Sequence, residues 1–104
     1  MDDGVCELCG KVSQLESLEI HHVVPQEVVE QMGISSPATT ILCHKCHQEI
    51  HDWYDRNVST VSYHPESQSF QRKSPTAMVR EYQSAYRVFA EYKKTQRNKV
   101  WNPQ

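Results

Sequence analysis

Two Cys-x-x-Cys pairs, Cys6/Cys9 and Cys43/Cys46, constrain this chain more than anything else in it. They use all four cysteines. Each such turn puts two sulfurs on one edge of a tetrahedron, the closed shell that zinc prefers in structural sites. If the four thiolates share one ion, the 33 residues between the pairs must fold back on themselves. That brings the segment around residues 21 and 22 beside the one that carries Cys46. A redox pair of the thioredoxin kind would need one such motif beside a βαβ unit, and that pattern is absent. A finger of two cysteines with His47 and His51 needs about a dozen residues between its pairs, which this spacing does not provide. Cys6, Cys9, Cys43 and Cys46 therefore read as a structural Zn²⁺ site.

Length and composition make that ion necessary. A chain of 104 residues with 38% hydrophobic content forms one small domain with a limited core. Structural zinc contributes ~10–16 kcal/mol in small finger peptides, enough to be a main source of stability here. No apolar run reaches the length of a membrane span, and Met1-Asp2-Asp3-Gly4 lacks the features of a signal peptide. A cytoplasmic setting is expected, where paired cysteines stay reduced.

Five of the six histidines lie in two blocks, Leu18 to Pro25 and Leu42 to His51. His47 and His51 are four residues apart, so on a helix they share a face and can share a cation. Cys46 points about 100° away from His47 on the same helix. One helix can thus hold zinc on one side and present imidazoles on another. His21 and His22 are adjacent on an extended segment and face opposite ways unless it bends. If one joins His47 and His51 as a ligand, the other is left as a base titrating near pH ~6.5. His44, in the middle of the second knuckle, and His64, in a loop, read as solvated.

The remaining pattern is α+β. Ser17 to His22 reads as a strand running into Val23 and Val24. Pro25 opens a short helix through Met32 that Gly33 ends. Ile34 to Pro37 is a connector, Thr39 to Leu42 a second strand, and His44 to about Asn57 a helix with Ile50, Trp53 and Tyr54 on its packing side. Residues 58–71 read as a hairpin with a polar loop. Ser74-Pro75 caps a helix to Arg97 whose Met78, Tyr82, Ala85, Phe89 and Tyr92 form an apolar stripe. That stripe packs on the core or on a second copy, and residues from Asn98 onward fray. The units are residues 1–57, the ligand-bearing core; 58–73, hairpin or connector; and 74–104, the amphipathic helix and basic tail.

Charge is split along the chain. Residues 1–71 carry three Lys/Arg against eleven Asp/Glu, while residues 72–104 carry eight basic residues against two acidic ones. Arg87, Lys93, Lys94 and Arg97 on the last helix suit phosphate contacts that are salt-dependent and indifferent to sequence. They equally suit an ordinary solvated face whose basic end complements the helix dipole.

The blocks Glu19-x-His21-His22-x-x-Pro25 and Leu42-Cys43-x-x-Cys46-His47-x-x-Ile50-His51 closely resemble the HNH endonucleases, over about half the chain from Cys6 to His51. The resemblance implies a zinc-stabilised ββα-metal core, here with an additional C-terminal helix. It implies a catalytic divalent cation at His21, His47 and His51, and His22 as general base in metal-dependent hydrolysis of DNA. Three nitrogen ligands favour Zn²⁺, Ni²⁺ or Mn²⁺ over Mg²⁺. The family's middle asparagine, which braces the loop between the strands, is replaced by Ala38; Thr39 or Thr40 could supply a substitute hydrogen bond. DNA is the expected partner, with a homodimer or a larger phage or defence assembly in a prokaryotic setting also open. The rival readings are a zinc-stabilised nucleic-acid-binding module with weak or no cleavage, and an interaction protein dimerising through its aromatic helix.

Overall fold

The computed structural model describes residues 3–33 and 38–101, with side chains up to residue 96. The chain is a small mixed α+β protein. Among the described residues are three antiparallel strand pairs and three α-helices.

The first pair, β1 (Asp3–Val5) and β2 (Val12–Gln14), holds the first knuckle at its tip. The turn closes by hydrogen bonds from the amide of Gly10 to the carbonyl of Cys6 (2.8 Å) and from the amide of Cys6 to that of Lys11 (2.9 Å). Gly10 adopts φ 76° there, a conformation glycine takes without steric cost. The sequence reading had the knuckle but not these strands, because three-residue strands leave too short a stretch for alternation to register.

After a 3₁₀ turn (Leu15–Ser17), β3 (Leu18–His22) pairs with β4 (Thr39–Cys43), placing Glu19 opposite Leu42 and His21 opposite Thr40. The sheet has two unlike faces. Thr40 and Leu42 are buried with His21, whereas Ile20 and Ile41 are exposed, the alternation expected of a half-covered strand pair. Between the strands lies α1 (Gln26–Gln31), introduced by Pro25 and ended at Gly33 (φ 70°). The expected connector Ile34 to Pro37 lies outside the described residues.

β4 runs directly into α2 (His44–Asn57), with Cys43 as N-cap: its sulfur accepts a hydrogen bond from the Cys46 amide at 3.5 Å. Cys46, Ile50 and Tyr54, four residues apart, form the buried stripe of α2. Then β5 (Val61–His64) and β6 (Ser69–Arg72) form the expected hairpin, and α3 (Pro75–Trp101) closes the chain. Helix α3 extends through Trp101, past the expected onset of fraying at Asn98. Its Met78, Ala85 and Phe89 are buried and Tyr82 is half-buried, but Tyr92 is exposed.

Helix α3 covers both halves of the core. Ala85 and Phe89 join Leu8, Leu42, Ile50 and Tyr54 around the cysteines, while Met78 packs with Val24, Val28 and Val29. The apolar stripe thus serves the chain's own core, the first of the two expectations for it. Trp53 adds a hydrogen bond from its indole N–H to the Ala85 carbonyl, 3.0 Å.

Candidate metal centres

The knuckle of β1–β2 and the β4–α2 junction meet, and the four cysteine sulfurs lie within 4.8 Å of one another. Cys9 Sγ and Cys43 Sγ are 3.9 Å apart. An ion with Zn–S bonds of about 2.3 Å spaces its sulfurs about 3.8 Å apart, so the shell fits zinc. The cysteines are free thiols, and 3.9 Å is far beyond a disulfide bond length of ~2.05 Å.

Electrostatics also call for a cation. Burial pushes the Cys6 thiol up, but hydrogen bonds from the backbone at Cys9, Cys43 and Leu8 outweigh it and hold it at about 7. Burial raises Cys9, and Cys46 is driven far above the ordinary thiol value by burial and then by Cys43 and Cys6. Four thiolates cannot coexist here uncompensated. The Lys93 ammonium lies 2.8 Å from Glu49 and favours the charged form of Cys46.

The second cluster grows out of the same junction. His21 from β3 meets His47 and His51 from successive turns of α2, each offering a ring nitrogen within 4.8 Å of the others. Ring centroids are 5.2 Å (His21–His47), 5.3 Å (His21–His51) and 4.8 Å (His47–His51) apart. Imidazoles around an ion at about 2.0–2.1 Å have nitrogens about 3.3 Å apart, a modest side-chain adjustment from this arrangement. The donor set suits a borderline divalent cation.

Burial is graded across the cluster. His21 is buried, His47 half-buried and His51 exposed. An open groove of about 420 Å³ over His47 and His51, also lined by Glu19, His44, Gln48 and Asp52, gives access. Burial, followed by the nearby His47, His51 and His22, lowers His21 from 6.5 to about 4. His51 is also lowered, first by burial and then by His47. Neutral imidazoles are the form that ligates metal.

Supporting contacts hold these rings. Glu19 accepts from His47 Nδ1 at 2.7 Å and from His44 Nδ1 at 3.0 Å. Because a carboxylate only accepts, His47 keeps the Nε2 lone pair for a metal. These contacts, with that to His47 first, lower the Glu19 carboxyl. Tyr86 of α3 lies 5.9 Å from His21, nearly parallel to it, and donates to Glu7 Oε1 at 2.8 Å. Glu7 also accepts from the Thr40 hydroxyl.

Not every expected residue joins the clusters. His22, next to His21 on β3, falls on the opposite side of the strand and is half-buried outside the three-imidazole group. His44 is exposed, as expected, yet shares Glu19. Thr40 bonds Glu7 rather than the loop between the strands. That loop is held instead by the Val23 amide on the Ala38 carbonyl (3.2 Å) and by the Tyr54 hydroxyl on the Val23 carbonyl (2.8 Å). Arg87 and Lys94 are exposed on α3. Lys93 is not the solvated cation of the basic-face reading: it is largely buried in its pair with Glu49. The Arg97 side chain lies outside the described residues.

Glu19 was visible in sequence only as part of a motif, with no contact to give it a role. Tyr54 was expected only on the packing side of its helix, and no expectation was attached to Tyr86. Nothing local marks a tyrosine whose partner histidine is 33 or 65 positions away.

No family model matches the chain, and no solved structure does. A stretch of 58 residues is 43% identical to the uncharacterized protein YisB of Bacillus subtilis (strain 168), covering 56% of this chain and 52% of that protein. The chain thus spans about half the length of the curated relative it matches. No helix among the described residues is long and apolar enough to cross a membrane.

The depressed His21 has a consequence in acid. Its folded form binds a proton more weakly than the unfolded chain does, so the unfolded state takes up more protons below the ordinary value of 6.5. Stability from this group is complete above that value and is lost as the pH falls toward about 4. Denaturant melts of protein loaded only at the cysteines should show about 1 kcal/mol less stability near pH ~5.5 than near pH ~7. His21→Asn should remove most of that difference; an unchanged difference would mean another group carries it.

Proposed function

We propose that this chain is a metal-dependent DNA endonuclease or nickase of the HNH type, with β3, β4 and α2 as its ββα-metal core. The observation that carries the reading is the three-imidazole cluster at the β3–α2 junction, with one further histidine next to it in sequence. Fold maintenance needs only the cysteines; three convergent imidazoles, two of them lining an open groove, need another explanation. A cation held by His21, His47 and His51 would supply Lewis-acid stabilisation of a phosphate oxygen and of the leaving oxygen.

The chain's own residues do the rest. Glu19 orients His47 and keeps its Nε2 available. His22 accepts a proton from the attacking water. Arg87 and Lys94 on α3 add salt-dependent contacts to the DNA backbone.

The test is nicking of supercoiled plasmid with Mn²⁺, Ni²⁺ or Mg²⁺ by zinc-loaded protein. Metal-dependent nicking, absent from His22→Ala, is the expected result. The position of His22 outside the cluster also favours a second reading, a zinc-stabilised nucleic-acid-binding module without efficient cleavage. Folded protein that retains DNA and nicks it with none of the three ions would decide for that module.

A further inference from the structure

Tyr54 stands on α2 less than one turn beyond His51, its side chain 5% exposed. Its ring packs 5.7 Å from His21 and 4.9 Å from Tyr82, centroid to centroid. The hydroxyl makes two hydrogen bonds. It donates to the Val23 carbonyl at 2.8 Å, and it lies 3.2 Å from His21 Nε2.

A phenol has one proton, and here the carbonyl takes it, because a carbonyl can only accept. Towards His21 the same oxygen can therefore only accept, so Nε2 must carry the hydrogen. The lone pair of the His21 ring is then on Nδ1. On His47 the arrangement is reversed: Glu19 takes the Nδ1 hydrogen at 2.7 Å and leaves Nε2 free.

We propose that Tyr54 is a positioning residue, whose hydroxyl locks His21 in its Nε2–H form and makes Nδ1 the metal-facing nitrogen. By the same two bonds it ties the backbone just after His22 to the ring of His21, so the two histidines move as one unit. The two flanks of the imidazole cluster are thus held in opposite tautomers, His21 of β3 by a phenol from α2 and His47 of α2 by a carboxylate from β3. The ligand role of His21 rests on the metal-site reading above; the tautomer does not.

The test uses full-length protein labelled with ¹⁵N at histidine and zinc-loaded at the cysteines. Long-range ¹H–¹⁵N spectra near neutral pH assign the protonated nitrogen of each ring. The wild type is expected to show His21 as Nε2–H and His47 as Nδ1–H. Tyr54→Phe keeps the ring packing and removes only the hydroxyl; His21 should then populate both tautomers while His47 is unchanged. Ni²⁺ affinity by calorimetry should fall about 10- to 100-fold, the usual effect of losing an outer-sphere partner. A wild-type His21 protonated on Nδ1 overturns the proposal without any variant. So does a His21 signal and a Ni²⁺ affinity that Tyr54→Phe leaves in place. If the wild type takes up no Ni²⁺, the metal-site reading fails, and the wild-type tautomer still decides the role of Tyr54.

Discussion

Zinc-free protein is expected to lose its cooperative fold at neutral pH. Among the described residues the largest fully buried side chains are Leu8, Leu42, Ile50, His21, Cys6 and Cys46. Only three of these are hydrocarbon, each contributing about 1.5–3 kcal/mol by burial. Against them stands the conformational entropy of every ordered residue, about 1–2 kcal/mol each for the backbone alone. A site worth ~10–16 kcal/mol is comparable to the whole net stability of a typical domain, about 5–15 kcal/mol. Its removal also strikes the architecture at its joint. The same four sulfurs tie the β1–β2 knuckle to the start of α2, and Cys43 caps that helix. Chelation at neutral pH should abolish the cooperative thermal transition, and zinc should restore it with one ion per chain. Cys46→Ser should fail to recover even with zinc in excess. A chelated, zinc-free protein that still melts cooperatively within a few degrees of the holo form would refute the structural role.

The second large effect separates two histidines that share a motif but not a place. His47→Ala removes one of the three proposed ligands and leaves Glu19 without its shortest imidazole contact. Affinity for the second cation, read by calorimetry with Ni²⁺, should become unmeasurable, and any nicking should go with it. His22→Ala removes a group outside the cluster, so Ni²⁺ should bind as in the wild type. The proposed hydrolysis should nevertheless slow by about 10²–10⁴-fold, the usual contribution of a general base. The two variants therefore differ in binding and agree in activity. If His22→Ala abolished Ni²⁺ binding, His22 would be a ligand and the division of roles would be wrong. If it bound metal and nicked at the wild-type rate, the base would have to be sought elsewhere.

Features with a short period or fixed spacing were legible in the sequence. The paired cysteines, the i, i+4 histidines of α2 and the Met78–Ala85–Phe89 stripe each carry their geometry in their intervals. Gly33 ends α1 for a reason that is equally local, its positive φ. Spacing alone left open which of His21 and His22 would face α2, the resemblance implied His21, and it is His21, opposite buried Thr40, that meets His47 and His51. What could not be read is what depends on distant partners. Glu19 meets His44 and His47 only because β3 lies against α2, and the roles of Tyr54 and Glu7 require the full tertiary arrangement. The ion pair of Lys93 was hidden for the same reason. Its sequence neighbours are basic and polar, and only the packing of α3 on α2 brings Glu49 to it.

The hydrogen bond from Tyr86 to Glu7 joins residues 79 positions apart. A growing chain exposes the knuckle and β3 long before α3 exists, so the face of His21 against which Tyr86 lies stays uncovered until α3 has been made. Loop closure over such a distance is among the slower events of folding. If the chain cuts DNA as proposed, α3 acts as a delay: the imidazole cluster reaches its final surroundings only once that helix has been made and has packed against it.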